Sequence, residues 1–313
     1  MPSFSEKRLN RRETVLAALA SAIAGGIAIN PASAQHEDQQ PVLSDLTPKD
    51  VYTFAVAGLD TRTVEEDENT DVLMVSRVDV ANGVVRTMSF PRDLFLEIPG
   101  VGLDKINRAY DYGSKANNHD WNAGIALMAE TLRHNFSIEI DGVATTNFKG
   151  FAQVVDALGG VDVNNPYDLY DGQFPTANYG YKEIFYPAGE QTLEGEQAME
   201  FSRTRHQDGD DGRVMRQQLV LTGMLEAVQE PENAEKLPEL VEEQAQTSVL
   251  TNIPEEVQVQ LIEAALTIDP ANVVWGTMTH LLWGDTTASG MWVYQGDWST
   301  LPGYVQAFLN GEV

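Results

Sequence analysis

The sequence predicts one mixed α/β domain behind a short N-terminal segment and linker. Three observations predict it. β-rich runs alternate with helix-period runs from residue 51 to the C-terminus. Asn82-Gly83, between two β-rich runs, is a strong hairpin signal, so the sheet is partly antiparallel. The 313 residues are 42% hydrophobic and show no internal repeat, enough for one large core.

Residues 1–34 read as an export signal. Lys7, Arg8, Arg11 and Arg12 form a basic start, an apolar run follows from Thr14 to Ile29, and Ala32-Ser33-Ala34 gives an A-x-A cleavage pattern. The run is shorter than the ~20 residues that span a bilayer. The Arg11-Arg12 pair and the mild hydrophobicity of the run suggest the twin-arginine route, with an uncleaved membrane anchor as the alternative. Residues 35–49 are polar, contain Pro41 and Pro48, and read as a linker. The domain then runs over 50–313, with a C-terminal extension from about residue 231.

Val51–Ala57 is the first strand and leads into Gly58-Leu59-Asp60-Thr61-Arg62. Val72–Val78 and Val84–Ser89 pair across Asn82-Gly83, and Pro91 stops the third strand before Arg92-Asp93. In such a hairpin the start of one strand lies beside the end of its partner, so Asp71 and Arg92 are predicted neighbours. Lys105–Tyr112 and Trp121–His134 read as helical, Ile138–Asn147 as a strand, and Phe148–Leu158 as an amphipathic helix stopped by Gly159-Gly160. Val161–Val163 is a short strand. Tyr167–Tyr186 reads as an irregular, mobile loop over the site, and Leu193–Met199 as a helix. Arg213–Gln229 is a helix with Val214, Leu221, Leu225 and Val228 on one face. Asn252 caps a helix with Pro254 in its first turn. Val273–Thr279 and Met291–Tyr294 are strands, and Leu301–Leu309 closes the chain as a helix.

Composition narrows the chemistry. The net charge of −27 opposes nucleic acid and anionic headgroups. The chain has no cysteine, which removes disulfides, thiolate catalysis and cysteine zinc sites. The five histidines are scattered, with no H-E-x-x-H spacing; His206 alone falls inside a charged motif. Neither a G-x-S-x-G elbow nor a P-loop is present.

The positive charge is concentrated. Four arginines fall between Arg203 and Arg216, three cations between Arg92 and Arg108, and only Lys236 lies beyond Arg216. An acidic protein that gathers its cations this way holds an anion. Guanidinium forks match phosphate oxygens, and a helix start adds partial positive charge. Arg203 and Arg205 share one face if extended. Asp208, Asp210 and Asp211 alternate with Gly209 and Gly212 as a turn, with Asp208 and Asp211 expected to align Arg205 and Arg213. Asp60 and Asp71 supply hard oxygen ligands of the kind magnesium takes. The expected site is therefore a diphosphate held by Arg62, Arg92, Arg203, Arg205 and Arg213 beside a divalent cation.

In order along the chain stand G-x-D-x-R at Gly58–Arg62, T-D at Thr70-Asp71, P-R-D at Pro91–Asp93 and K-I-N at Lys105–Asn107. D-x-L-G-G-V-x-V at Asp156–Val163, L-x-G-x-Q-A at Leu193–Ala198 and S-R-x-R…D-x-D-x-G-R-x-x-R-Q-Q at Ser202–Gln218 follow. This series resembles the LytR–CpsA–Psr family of exported or membrane-anchored phosphotransferases. The resemblance implies helices sandwiching a single, mostly antiparallel mixed sheet, with a hydrophobic tunnel for a polyprenyl tail. It implies transfer of a glycan polymer from a polyprenyl-diphosphate carrier to a cell-wall acceptor such as peptidoglycan, with Mg2+ as cofactor. Carried over by motif, Asp60 and Asp71 bind the metal. Arg62, Lys105, Arg213 and Gln217 hold phosphate, Arg92, Arg203 and Arg205 act on the reacting diphosphate, and Asp93 is a base or an orienter of Arg92. A non-catalytic polyprenyl-phosphate binder and a prenyl pyrophosphatase are the alternatives. The chain departs from most relatives in its short N-terminal apolar run.

Overall fold

The structure, a computed structural model, describes residues 46–60, 68–176, 180–233 and 249–313. The expected export signal, most of the linker, Arg62 and part of the C-terminal extension lie outside the described residues. Among those described, no helix is long and apolar enough to cross a membrane.

The centre is a six-stranded sheet. β1 (Val51–Asp60) is flanked by β2 (Asn69–Asp79) and, in parallel, by β6 (Gly142–Asn147). β3 (Val84–Phe90) pairs antiparallel with β2, as the Asn82-Gly83 turn predicts, and Gly83 takes the left-handed φ of 63° that the turn requires. β11 (Val249–Thr251) closes one edge antiparallel to β6, and β12 (Val273–Thr277) closes the other parallel to β3. The sheet is mixed, with three antiparallel pairings against two parallel ones.

Both faces are covered, so β1 reads as a nearly continuous apolar run rather than an alternating one. Ala55, Ala57, Leu73 and Val75 pack on one face against α1 (Ala109–Ala116), α2 (Trp121–Phe136) and α7 (Leu301–Asn310). On the other face, Tyr52, Phe54, Val78 and Val85 pack against Leu225 of α5 (Gly209–Gln229) and against α6 (Glu255–Ala265). A third core joins α3 (Phe148–Ala157), α4 (Gly195–Arg203) and α5 to strands β7 (Val161–Asn165) through β10 (Gly189–Leu193).

Two of the sequence motifs prove to be packing devices. Asp156 of α3 accepts a hydrogen bond from the Gly195 N–H at 2.7 Å, and Gln197 Oε1 accepts from the Glu194 N–H at 3.0 Å, so both cap α4. A Cβ on Gly195 would stand 2.0 Å from the Ala152 carbonyl oxygen, so only glycine lets the two helices approach this closely.

Several expectations are corrected. The described part of Tyr167–Tyr186 holds two antiparallel strands, β8 (Leu169–Pro175) and β9 (Tyr181–Tyr186), and not an irregular loop. A register irregularity between Asp171 and Phe174 breaks its alternation and hides it from a period-2 search. Leu193 ends β10 rather than starting a helix. Lys105 ends β5 (Gly102–Lys105), which pairs with β4 (Phe95–Ile98), and a 3-10 turn at Ile106–Arg108 precedes α1. Residues before Gly142 are outside β6. Pro254, not Asn252, occupies the N-cap position of α6, without a side-chain cap; Asn252 instead accepts from the Val143 N–H at 2.7 Å and ties the chain to β6. β13 (Leu282–Thr286), partner of β14 (Trp292–Gly296), was not foreseen.

Candidate active site

The first half of the site comes from the sheet end. In the β1–β2 ladder, Gly58 faces Val72 but Leu59 faces Thr70, so Asp71 is the extra residue of a bulge. Bulges re-aim side chains, and here Asp71 and Asp60 line the same cavity. The β2–β3 register pairs Leu73 with Phe90, and continuing it two residues sets Asp71 opposite Arg92. Their side chains meet as the hairpin argument predicts, with Arg92 Nη1 2.6 Å from Asp71 Oδ1. Behind Arg92 sits Asp93, 3.5 Å from Arg92 Nε and holding Lys105 Nζ at 2.6 Å. Asp93 and Lys105 are not on the cavity wall. Asp93's backbone carbonyl accepts from the Tyr294 N–H at 2.8 Å, so the Pro91–Asp93 turn is anchored to β14.

The second half comes from the α4–α5 junction. Arg203 ends α4, Thr204 is extended, and Arg205 and His206 follow before α5 begins at Gly209. Arg203, Arg205, His206, Arg213 and Gln217 line the cavity that holds Asp60, Asp71 and Arg92. Of the predicted residues, seven thus converge on one wall, two stand one layer behind it, and Arg62 lies outside the described residues.

The guanidiniums are positioned differently. Arg203 lies 3.8 Å from the Phe148 ring centre and 5.5 Å from that of Phe174, which fixes it by cation–π contact. Arg213 is buried and touches Asp210 at 2.8 Å. Burial pushes its pKa down, Asp210 and Asp71 oppose this, and Arg92 and Arg205 add to the depression. For Arg92, burial acts the same way but Asp71 and Asp93 outweigh it, and its pKa is raised. Arg213 is therefore a buried cation paired with Asp210 and crowded by other arginines. Arg213 Nε and Ser202 Oγ are also buried without hydrogen-bond partners. An entering anion would supply both the charge and the acceptors.

Arg216, the fourth arginine of the cluster, does something else. Its side chain is 1% exposed and bonds Asp208 twice, Nη1 to Oδ2 at 2.5 Å and Nη2 to Oδ1 at 3.0 Å. It also donates to the carbonyls of Phe201 and Thr204. This corrects the expected alignment: Asp208 serves Arg216 rather than Arg205, and Asp210 rather than Asp211 holds Arg213. Since α5 already starts at Gly209, Asp210 and Arg213 are three apart on one helical face.

β8 brings in Asp171, which sequence reasoning missed. It is fully buried, accepts a hydrogen bond from Thr204 Oγ1 and lies 2.8 Å from His206 Nδ1. Burial alone would raise its pKa; Thr204, the Gln173 N–H and His206 together lower it.

A second, apolar cavity adjoins the charged one. Val56, Val72 and Met74 of the sheet form its floor, and Phe148, Phe151, Met199, Leu221 and Met224 its roof, around ≈ 850 Å³ of space partly open to solvent. It shares Val72, Phe148, Ser202, Arg203 and Gln217 with the charged cavity. Beside the arginines, Asp60 and Asp71 are two hard oxygen donors; among the described residues no group of three His or carboxylate donors forms a protein cage. That set fits a magnesium ion that draws its other ligands from phosphate and water.

The LytR_cpsA_psr family model matches residues 16–304. The chain is 34% identical over 187 residues to the polyisoprenyl-teichoic acid–peptidoglycan teichoic acid transferase TagU of Oceanobacillus iheyensis, covering 59% of this chain and 54% of that one. It is 31% identical over 211 residues to the TagV transferase of Bacillus subtilis, covering 66% of this chain and 50% of TagV. The chain thus spans about half the length of these curated relatives. The solved structure of B. subtilis TagV superposes with a TM-score of 0.66 at 23% identity, over 84% of this chain and 99% of that one. That of TagT bound to LI-WTA superposes at 0.64 and 21%, over 88% and 98%. Both support the fold.

Proposed function

The chain belongs to the LytR_cpsA_psr family, and we propose that it transfers a glycan polymer from a polyprenyl-diphosphate carrier to a cell-envelope acceptor such as peptidoglycan. One observation carries the reading: an apolar cavity and an arginine-lined cavity share a wall at Arg203 and Gln217. An amphiphile with a long hydrocarbon tail and a diphosphate head fits that junction. The names of the transferase relatives support the same reaction class.

In the proposed reaction an acceptor hydroxyl attacks the phosphorus nearer the glycan, and polyprenyl phosphate leaves. Arg203, stacked on Phe148, sits where tail meets head and orients the diphosphate. Arg92, Arg205 and Arg213 neutralise charge that grows on the leaving phosphate, which is worth more in a buried site than in water. Asp93 and Lys105 hold Arg92 in place from behind. Asp60 and Asp71 would hold magnesium, which when bound adds positive charge at the phosphates. The exported location rests on the N-terminal signal, and the lipid substrate brings the domain to the membrane surface.

The test is magnesium-dependent release of prenyl phosphate from a prenyl-diphosphate-linked disaccharide, with a peptidoglycan oligomer as acceptor. Arg203→Ala and Arg205→Ala should each cut the rate roughly 10²–10³-fold with the fold intact by circular dichroism. Full activity in both variants overturns the reading. Tight binding without turnover would make the protein a carrier module, and release without a joined product would make it a pyrophosphatase.

A further inference from the structure

The reaction needs a proton acceptor for the attacking hydroxyl, and the residue nearest that role by motif is badly placed for it. Asp93 is off the cavity wall, with Lys105 Nζ at 2.6 Å and Arg92 Nε at 3.5 Å. Each of its carboxylate oxygens faces one of these cations rather than the cavity. The cavity wall offers another group.

We propose that His206, oriented by Asp171, is the general base that takes the proton of the acceptor hydroxyl. The inference rests on the transferase reading above and extends it. Asp171 lies buried beneath His206, with both carboxylate oxygens 2.8 Å from Nδ1. A carboxylate there fixes the tautomer with the proton on Nδ1, which leaves the Nε2 lone pair available. Nε2 makes no hydrogen bond to a described residue, and the ring is half exposed on the cavity of the phosphate-facing arginines. Asp171 is itself held by Thr204 Oγ1 and by the Gln173 N–H at 2.9 Å. A base held by a third group in this way is the arrangement that nucleophile activation requires. β8 supplies Asp171, and the α4–α5 junction supplies His206 next to Arg205. Proton acceptor and phosphate grip therefore sit on adjacent residues of one junction.

The step balances. The acceptor oxygen forms a bond to phosphorus and its proton passes to His206 Nε2. The bond from that phosphorus to the bridging oxygen breaks, and the electron pair leaves on polyprenyl phosphate. The imidazolium then returns its proton to solvent. The charged groups sharing the cavity with His206 are Asp171 from β8, Asp60 and Asp71 from the sheet, Arg92 after β3, and Arg203, Arg205 and Arg213 from the junction and α5.

The experiment compares wild type, His206→Gln and Asp171→Asn in the transfer assay across pH, with binding of the prenyl-diphosphate-linked disaccharide measured separately. His206→Gln changes a half-exposed ring and should fold. Its kcat is expected to fall roughly 10²–10⁴-fold. The wild-type loss of kcat toward acid, where a base is protonated, should vanish in the variant, with affinity within threefold of wild type. In His206→Ala, added imidazole should restore part of kcat. Asp171→Asn, changing a positioning residue, should lower kcat while leaving affinity in place. His206→Gln retaining a third of kcat with its acid limb intact overturns the proposal and leaves the transferase reading standing. So does a variant that loses affinity rather than kcat, which would make His206 a phosphate ligand. A wild-type protein that binds but never turns over overturns the transferase reading, and the base with it.

Discussion

Replacing Arg216 by methionine should cost stability rather than remove a phosphate ligand, although Arg216 sits in the same cluster as the arginines on the cavity. Its guanidinium makes two bonds to Asp208, and donates to the Phe201 carbonyl at 2.9 Å and the Thr204 carbonyl at 2.5 Å. It thereby fastens the end of α4, the segment carrying Arg205 and His206, and the start of α5. Methionine fills the space but strands Asp208, whose remaining side-chain partner is the Tyr167 hydroxyl at 2.8 Å. Breaking a buried ion pair from one side costs about 3–5 kcal/mol. For a domain of this size that lowers Tm by roughly 6–20 °C. Asp208 is held below the usual carboxylate range, because Arg216 and Tyr167 outweigh the effect of burial. The unfolded chain then binds more protons than the folded one near about pH 4, so this contribution is complete above that pH and is lost as pH falls through the lower folded value. Thermal unfolding by circular dichroism at neutral pH and below pH 4 measures both effects, and the Tm gap should narrow in acid. Adding Asp208→Asn to Arg216→Met should recover more than about 1 kcal/mol of the loss, since the stranded charge is gone. A variant melting within about 2 °C of wild type would refute the assignment of Arg216 to the framework.

Gly195→Ala should destabilise by about 1–3 kcal/mol, because its Cβ would meet the Ala152 carbonyl at 2.0 Å and force α3 from α4. Gly303→Ala in α7 meets nothing within 4 Å and should be neutral or stabilising by up to about 1 kcal/mol, so paired melts separate packing from propensity. Leu221→Trp fills part of the apolar cavity and should weaken binding of a long-chain prenyl diphosphate at least about tenfold, as expected when shape rather than charge is lost. It should leave a five-carbon prenyl diphosphate nearly unaffected, and equal loss for both chain lengths in calorimetry would move the tail elsewhere.

The sequence by itself determined the ladder and much of the charge placement. Period and turn chemistry act over a few residues, so Asn82-Gly83 fixed the β2–β3 hairpin, and register then put Asp71 against Arg92. Motif order determined the family, and the crowding of arginines into an acidic chain marked the anion site. Tertiary structure decided which arginine does what. Arg213 and Arg216 look alike in sequence, yet α5 turns one toward the cavity and buries the other on Asp208, and that choice depends on where the helix starts. Asp171 was invisible for a related reason. An irregular register disguised its strand, and its partners Thr204 and His206 are more than thirty residues away, beyond the reach of any local pattern. The tail cavity was also undecidable beforehand. Val72, Met74, Leu221 and Met224 have the composition of core, and only the spacing of the helices from the sheet leaves room between them.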